Sequence, residues 1–385
     1  MLINQKDKFR LSNTVTYLNG AFMSPMLKIV EKIGHTAISK KCSPYEISSN
    51  DFFQGTRKLK QEFAKLIDVD DYQNIAIIPA VSYGIATVAN NIKLNEGDEI
   101  IVVEEQFPSN IYSWQKKAKQ HNATINVISA PKGFMKRGEK WNKLILQAIT
   151  NKTAVVAMPQ VHWADGTFFD LNAIRTKTKA HKALLIIDGT QSVGAMPFSV
   201  KEIQPDALIC AGYKWLLGPY SIGLAFYSDT FNNGEPIEEN WINRKNSENF
   251  GGLVNYEDHY QSKAGRYNVG EMSNFSLTPM LTAAIEQIID WKPQNIQAYC
   301  KNISKKGVNE LRNLGCFIEE DNYRSHHLFG IYLPKNIDLN KLKKEFEKNN
   351  LYVSFRGNAI RVSPNVYNTR EDFEKLLTCF KNIES

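Results

Sequence analysis

The sequence predicts an α/β protein with a mainly parallel seven-stranded sheet, helices on both faces of that sheet, and a smaller α+β unit at the C-terminal end. From about residue 24 to residue 273, short apolar runs without polar alternation alternate with amphipathic helical patterns. This alternation is typical of parallel strands that are buried on both faces. The predicted strands are residues 75–78, 99–103, 124–128, 154–158, 184–187, 207–210 and 222–227.

The last of these strands is predicted to run antiparallel, because only a tight turn at Gly218-Pro219 separates it from the preceding elements. From about Leu277 the pattern changes to long helices and short strands. The helices are predicted at residues 283–291, 293–314, 339–349 and 370–383, and the strands near residues 327–332, 352–355 and 360–363.

These patterns predict two domains of unequal size. Residues 24–273 form a large ligand-binding domain, and residues 1–23 and 274–385 form a small α+β domain. Residues 232–263 are polar and rich in asparagine, which predicts a long loop that serves as an interface segment.

Lys214 is the residue that says most about function. It lies in a turn bracketed by glycines (AGYKWLLGP, residues 211–219) directly after the apolar run at 207–210. Desolvation at the end of a buried strand disfavours the ammonium form and leaves an amine nucleophile. Such a lysine forms a Schiff base with an aldehyde cofactor, usually pyridoxal 5′-phosphate. The alternative is an ordinary surface lysine.

Asp188 is the first candidate partner of Lys214. It ends the aliphatic run at 184–187, where open α/β sheets bind ligands. A carboxylate at this place would hold a pyridine nitrogen protonated, which makes the ring an electron sink. The alternative is a helix N-cap, for which aspartate is well suited.

A candidate phosphate site lies between the strand at 75–78 and the helix that follows it. The connecting segment is PAVSYG at 79–84, in which Ser82 offers a hydroxyl and Gly84 permits close approach of the backbone. The first turn of a helix presents free N–H groups and the positive end of a dipole, which together bind anions. An ordinary serine N-cap explains the same residues.

Taken with further motifs in a fixed order, these features resemble a known family. The motifs are SYG at 82–84, FPSN at 107–110, VHWADGT at 161–167, DGTQS at 188–192, GYK at 212–214, RYNVGE at 266–271 and RVSPNVYNT at 361–369. The chain resembles the class V aminotransferase family of fold-type I pyridoxal phosphate enzymes. That family includes cysteine desulfurases, selenocysteine lyases, kynureninases and isopenicillin N epimerase-like proteins. The resemblance covers nearly the whole chain.

The resemblance implies a role for each cofactor-binding residue. Lys214 would form the Schiff base, Asp188 would pair with the pyridinium nitrogen, and Gln191 would bond the ring hydroxyl. The residues that would hold the phosphate are Ser82, the amide of Tyr83, and the side chain of Tyr213.

Phe107 would stack on the cofactor ring, where cysteine desulfurases usually have a histidine. A flat aromatic neighbour orients the ring and excludes water. Simple core packing is the alternative for Phe107.

The resemblance also implies the substrate-binding residues. Arg361 would grip the substrate carboxylate with two parallel hydrogen bonds, and Arg356 would assist it or guard the entrance. The backbone around Asn19 would close the site. His162 or Trp163 would line the substrate side, although packing at the end of a strand is an equal alternative for both.

Two departures from the family pattern are informative. Cysteine desulfurases carry a nucleophilic cysteine on a loop before the carboxylate-binding arginine, and residues 352–361 contain no cysteine. Sulfur transfer through an enzyme persulfide is therefore not expected, whereas direct C–S or C–Se lysis needs no such cysteine. Glu271 stands where relatives often carry a threonine or asparagine that contacts the partner subunit's phosphate, and a carboxylate there would repel phosphate.

The function predicted from the sequence is that of a pyridoxal phosphate enzyme acting on an α-amino acid, nominally a class V transaminase. A β-lyase of cysteine or selenocysteine is the first alternative. A kynureninase-like hydrolase is the next, because of the FPSN motif. A catalytically silent scaffold protein is the non-enzyme alternative, against which Asp188, Gln191 and Lys214 all argue. A homodimer with the active site at its interface is expected.

Composition agrees with a cytoplasmic enzyme that acts on small molecules. The 385 residues carry a net charge of +7 with scattered lysines, so nucleic-acid binding is not required. The five cysteines show neither a disulfide framework nor metal-ligand spacing. We find neither a signal peptide nor an apolar run near the roughly 20 residues that span a bilayer.

Overall fold

The computed structural model describes residues 2–384, and its main feature is a seven-stranded sheet. A short strand, β1 (Thr16–Tyr17), precedes this sheet in the chain. The strands of the sheet are β2 (Ile75–Ile78), β3 (Glu99–Val103), β4 (Thr124–Ile128), β5 (Thr153–Pro159), β6 (Leu184–Asp188), β7 (Ala207–Ala211) and β8 (Gly223–Tyr227).

The strands lie in the order β2-β8-β7-β6-β5-β3-β4, and only the pairs that include β8 are antiparallel. The predicted α/β class and the predicted antiparallel strand are therefore confirmed. Gly223, the first residue of β8, pairs with Ile78 and Ala211, the last residues of β2 and β7. One edge of the sheet therefore brings together the carboxyl ends of β2, β6 and β7 and the loop that leads into β8.

Helices cover both faces of this sheet. They are α2 (Asp51–Leu66), α3 (Val81–Asn91), α4 (Tyr112–Gln120), α5 (Arg137–Ala148), α6 (Leu171–Ala180), α7 (Val200–Ile203) and α8 (Leu277–Trp291), while α1 (Lys28–Lys41) packs on α8. Successive strand residues point to opposite faces. Ile187 and Leu208 pack in one core with α2, α5, α6 and α8, whereas Ile186 and Ile209 pack in another with α3 and α4. Burial on both faces explains why the strands are apolar without alternation.

The C-terminal part forms a second, smaller sheet with its own core. The elements are α9 (Pro293–Asn313), β9 (Phe329–Tyr332), α10 (Leu339–Lys348), β10 (Leu351–Tyr352), β11 (Ser354–Arg356), β12 (Ala359–Val362) and α11 (Arg370–Glu384). The antiparallel order is β11-β12-β9, and β10 pairs separately with β1. The predicted C-terminal elements are confirmed, with shifts of one to several residues at their ends. The division into domains at residues 24–273 stays a prediction.

Residues 232–263 contain two short 3₁₀ helices, Trp241–Asn243 and Phe250–Gly252, and the first residue of a third, Lys263–Tyr267, but neither α-helix nor strand. This agrees with the predicted long loop, while its role as an interface segment stays a prediction. Among residues 2–384, the structure has no helix that is both long and apolar enough to cross a membrane.

Candidate active site

The lysine turn stands at the sheet edge where β2, β6 and β7 end. The backbone hydrogen bonds that hold it include those from Gly212 N to Ile222 O (2.9 Å) and from Gly218 N to Gly212 O (2.9 Å). A Cβ atom on Gly212 would lie 2.4 Å from the carbonyl oxygen of Ile222, so the turn requires glycine at this position. The turn carries Lys214 into the interior instead of out to solvent.

Lys214 is a buried amine, with only 7% of its surface exposed. Its Nζ atom lies 5.3 Å from the ring centre of Phe107 and 5.5 Å from that of Tyr213. Burial lowers the pKa of Lys214 to about 8; the charge of Asp188 opposes this change, and Arg361 and Arg356 add to it. The alternative of an ordinary surface lysine is therefore wrong.

Asp188 is the last residue of β6 and is also buried. Its Oδ1 atom accepts a hydrogen bond from the amide of Thr190 at 3.0 Å. Burial raises the pKa of Asp188, while the hydrogen bonds from Thr190 and the charge of Lys214 act in the opposite direction. No α-helix begins in residues 189–199, so the helix N-cap alternative for Asp188 is wrong.

Gln191 is fixed by two side-chain hydrogen bonds. Its Nε2 donates to the carbonyl oxygen of Ala21 at 3.2 Å, and its Oε1 accepts from the indole of Trp215 at 2.8 Å. An amide NH₂ has two hydrogens, so one hydrogen of Gln191 remains available for a ligand in the adjoining cavity.

The start of α3 presents free backbone donors. The amides of Val81 and Ser82 have no acceptor among the described residues, whereas the amide of Tyr83 donates to Ala80 O at 3.1 Å. The amides free to bind an anion are thus those of Val81 and Ser82, whereas the resemblance implied the amide of Tyr83. A Cβ atom on Gly84 would lie 2.7 Å from a side-chain carbon of Ile209, so Gly84 serves the packing of α3 on the sheet.

Two adjoining cavities connect these groups. The first, the cofactor chamber, has a volume of about 300 Å³. The second, the substrate chamber, measures about 410 Å³. Among the predicted residues, the cofactor chamber is lined by Ser82, Phe107, Trp163, Asp188, Gln191, Tyr213 and Lys214. The substrate chamber is lined by Phe107, Trp163, Tyr213, Lys214, Arg356 and Arg361. Neither Tyr83 nor Asn19 lines a chamber.

A larger cavity of about 840 Å³ lies between α1, α2 and the start of α8. Its charged groups include Lys40 and Asp51, which pair with each other at 2.8 Å. Because these partly exposed charges already neutralise each other, this cavity is a poor candidate for chemistry, and the two chambers at Lys214 are the better one.

Arg361 lies on β12 and is buried, with 1% of its surface exposed. Its Nη1 donates to Trp163 O at 2.8 Å and its Nη2 to Ser354 Oγ at 3.4 Å, while its Nε has no partner. Burial, and secondarily the charge of Arg356, lower the pKa of Arg361 to about 9, whereas Tyr17 and Tyr213 act in the opposite direction. Within residues 2–384, no carboxylate forms an ion pair with it.

Asn19 supports Arg361 indirectly. Its side-chain oxygen accepts a hydrogen bond from Ser354 Oγ at 2.7 Å, and Ser354 in turn contacts Arg361. Trp163 combines both roles that the sequence left open: its indole donates to Glu105 O at 2.6 Å, and its ring also lines both chambers.

Phe107 and Trp163 meet edge to face, with ring centres 5.2 Å apart. Phe107 is half-buried and lines both chambers, so it is more than a core residue. Its stacking on a cofactor stays a prediction.

Two further residues of the site were not predicted from the sequence. Tyr220 is exposed and lines both chambers, and its ring centre lies 4.6 Å from that of Tyr213. Its position just after Gly218-Pro219 was the sequence feature that could have indicated this role. Ser354 was missed although it pairs directly with Arg361 across β11 and β12, which strand alternation would have indicated.

The cysteines and Glu271 lie away from these chambers. Cys42 is exposed, and Cys210, Cys300, Cys316 and Cys379 are buried outside both linings. The connection between β11 and β12 consists of Gly357 and Asn358 alone, which leaves no loop for a reactive cysteine. Glu271 is exposed and lines neither chamber.

Comparison with known proteins identifies the family. The family model for class-V aminotransferases matches residues 39–376, and the chain therefore belongs to that family. It is a family of enzymes that use pyridoxal phosphate.

Individual relatives carry two kinds of name. An uncharacterized aminotransferase, YcbU, from Bacillus subtilis is 23% identical over 82% of this chain and 80% of its own length. A probable cysteine desulfurase from Staphylococcus epidermidis is 30% identical over 48% of this chain and 44% of its own length. The names leave the reaction of the present chain open between these classes.

Solved structures share the fold across almost the whole chain. The cysteine desulfurase CsdA of Escherichia coli superposes with a TM-score of 0.82 and 17% identity, over 98% of this chain and 97% of that one. The cystine C-S lyase C-DES superposes with a TM-score of 0.84 and 16% identity, over 97% and 99%. At such identities the likeness establishes the fold alone.

Lys214→Ala is expected to abolish the covalent retention of pyridoxal phosphate after borohydride reduction, because reduction fixes the cofactor only where an amine has formed an imine with it. Intact-protein mass spectrometry measures the retained mass. Lys60 on α2 is the matched control, since it is equally buried at 7% exposure and its pKa is lowered to about 7. Lys60→Met should retain the label. Retention by Lys214→Ala would contradict the assignment.

The rate at which the apoenzyme takes up pyridoxal phosphate should rise with pH and level off above about 8. The reason is that only the neutral amine attacks an aldehyde, and burial lowers the pKa of Lys214 from its ordinary value of 10.5. Absorbance of the bound cofactor follows the rate, with Nα-acetyl-lysine as the parallel control. A protein rate that climbs with the control up to the ordinary lysine pKa contradicts the burial effect.

Proposed function

We propose that this protein is a pyridoxal phosphate enzyme that acts on an α-amino acid, and that its reaction is transamination. One observation carries the proposal: a buried amine, Lys214, and a buried guanidinium without a carboxylate partner, Arg361, line the same chamber. A buried unpaired cation is costly, and a carboxylate ligand removes that cost through two parallel hydrogen bonds. An α-amino acid has a carboxylate that would pair with Arg361 and an amine that would lie beside Lys214.

The residues of the cofactor chamber fit pyridoxal phosphate. The phosphate would be held by the amides of Val81 and Ser82, the Ser82 hydroxyl and the Tyr213 hydroxyl, in keeping with the free donors at the start of α3. Asp188 would accept the pyridinium hydrogen, and Gln191 would donate its remaining amide hydrogen to the ring hydroxyl. When bound, the cofactor supplies an electron sink for the substrate Cα.

Lys214 is the proposed general base and acid. It lines both chambers, and burial lowers its pKa to about 8, so more of it is free amine at neutral pH than in an ordinary lysine. Transamination needs a proton to leave the substrate Cα and to return at a second carbon nearby. One amine that reaches both positions is sufficient for that transfer.

Arg361 would orient the substrate through its carboxylate, using the free Nε donor. Phe107 and Trp163 would keep water out of the chamber and face the apolar part of the substrate. Asn19 and Ser354 would act as positioning residues that fix the guanidinium.

C–S lysis without an enzyme persulfide is the second candidate. The two-residue connection between β11 and β12 carries no cysteine, and no cysteine lines either chamber. This favours a C–S lysis that needs no cysteine of the enzyme over one that forms an enzyme persulfide. A proton donor assists the departure of a thiolate, and Phe107 cannot donate a proton where desulfurases usually have a histidine. This difference ranks lysis below transamination. A silent scaffold ranks last, because it gains nothing from an unpaired buried arginine.

A homodimer with the site at its interface remains part of the proposal. Phe22, Met23 and Tyr220 line the substrate chamber and are exposed apolar or aromatic side chains. Exposed apolar groups at the mouth of a site are suited to burial by a second copy.

A panel of single l-amino acids tests the reaction of the holoenzyme. Transamination predicts sustained formation of the corresponding keto acid only when a keto-acid acceptor is added, because the acceptor takes up the amino group that the substrate leaves behind and so restores the enzyme. Sulfide released from cysteine without an acceptor would instead support lysis, and alanine released from kynurenine would support hydrolysis. If no amino acid changes the absorbance of bound cofactor or yields product, the proposed enzyme function fails.

A further inference from the structure

The substrate chamber contains a second arginine that also lacks a carboxylate partner. Arg356 ends β11 and is half-buried beside Trp163, whose ring centre lies 5.6 Å from its Cζ atom. The Cζ atom of Arg361 lies 5.9 Å from the same ring centre. One indole is therefore flanked by two guanidinium groups.

The hydrogen bonding of Arg356 leaves most of its donors unused. Among the described residues, its one hydrogen bond runs from Nη1 to the carbonyl oxygen of the neighbouring Phe355 at 2.8 Å, and no ion pair within 4.0 Å involves it. A guanidinium has five N–H donors and a shape that matches planar anions. An anion can thus bind Arg356 without displacing a hydrogen bond between its guanidinium and a residue distant in the chain.

The charges around the chamber are unbalanced. Lys214, Arg356 and Arg361 line it, and no Asp or Glu of the described part of the chain does. The charge of Arg356 also lowers the pKa of both Lys214 and Arg361, which means that the three cations act on one another. One substrate carboxylate would satisfy Arg361 and leave Arg356 uncompensated.

We propose that Arg356 binds a second anionic group, carried on the side chain of the amino-acid substrate, while Arg361 binds the α-carboxylate. This inference rests on the proposed function and narrows it to acidic amino acids, such as dicarboxylic ones. The two arginines lie on adjacent antiparallel strands joined by a two-residue turn. The hairpin therefore fixes the distance between the two arginines. That distance would select substrates whose two anionic groups have a matching separation.

Glu105 is the competing partner for Arg356. Its carboxylate oxygens lie 3.5 and 3.7 Å from the position of a Cβ atom on Gly357, the residue after Arg356. Glu105 is exposed, and it forms no ion pair with Arg356 in the structure. If Arg356 existed only to fix this loop through Glu105, neutral and acidic substrates would bind alike.

Spectrophotometric titration of the holoenzyme tests the proposal with isosteric pairs. The pairs are l-aspartate with l-asparagine and l-glutamate with l-glutamine, which differ in charge but hardly in size. In at least one pair the acid should bind about tenfold more tightly than the amide, the difference expected of one charge-assisted contact. The apparent dissociation constants come from the change in absorbance of the bound cofactor.

Three variants locate the effect. Arg356→Gln should bring the acid-to-amide affinity ratio to about one, and Arg356→Lys should restore part of the preference. Glu105→Gln, the matched control, should keep the preference of the unmodified protein. Circular dichroism and cofactor absorbance establish that each variant is folded and loaded.

The inference is overturned if acids and amides bind equally in the unmodified protein, or if the preference survives Arg356→Gln. Equal binding together with a clear response to l-alanine would leave the proposed function intact and remove only the second anionic group. If no amino acid changes the absorbance, the proposed function fails and this inference falls with it.

Discussion

Burial of Arg361 without a carboxylate partner is the constraint from which the account of this site follows. A guanidinium taken out of water must be paired or stabilised by hydrogen bonds, or it destabilises the fold. Among residues 2–384, the hydrogen-bond partners of Arg361 are the Trp163 carbonyl and, at longer distance, the Ser354 hydroxyl. Lys214 adds a second buried basic group to the same chamber, and the buried carboxyl group of Asp188 lines the cofactor chamber but not the substrate chamber. The deficit of negative charge is explained if cofactor and substrate both bring anionic groups.

The rigidity of the site depends on a buried polar network beneath Trp163. Asp165 is buried, pairs with Arg137 at 2.8 Å and accepts a hydrogen bond from Tyr332 of β9 at 2.8 Å. Interaction with His162 and Arg137 holds the pKa of Asp165 far below its usual range, against the effect of burial. This network ties the loop after β5 to the small sheet that carries Arg361. The Trp163 carbonyl and the Arg361 guanidinium are thus positioned by one connected structure rather than by two independent ones.

Much of this architecture could be predicted from the sequence, because unalternated apolar strands and a lysine between glycines are local patterns. Asp188, Gln191 and Lys214 were predicted together and do line one chamber. The free amides at Val81 and Ser82 were not assigned correctly, since the hydrogen bond from Tyr83 N to Ala80 O depends on the helix geometry of α3. Asn19 was expected to close the site, but it lies behind Ser354, a contact that joins residues far apart in the chain. Such long-range contacts leave no signal in one sequence.

The most direct test of the central claim is a crystal structure of the Lys214→Ala variant with pyridoxal phosphate and an l-amino acid bound. Removal of the amine prevents turnover, so the substrate can be observed in place. We expect the substrate carboxylate to accept hydrogen bonds from Nε and one Nη of Arg361, and the cofactor ring nitrogen to lie against Asp188. A carboxylate bound away from Arg361, or an Arg361 paired with a carboxylate of the protein itself, would contradict it.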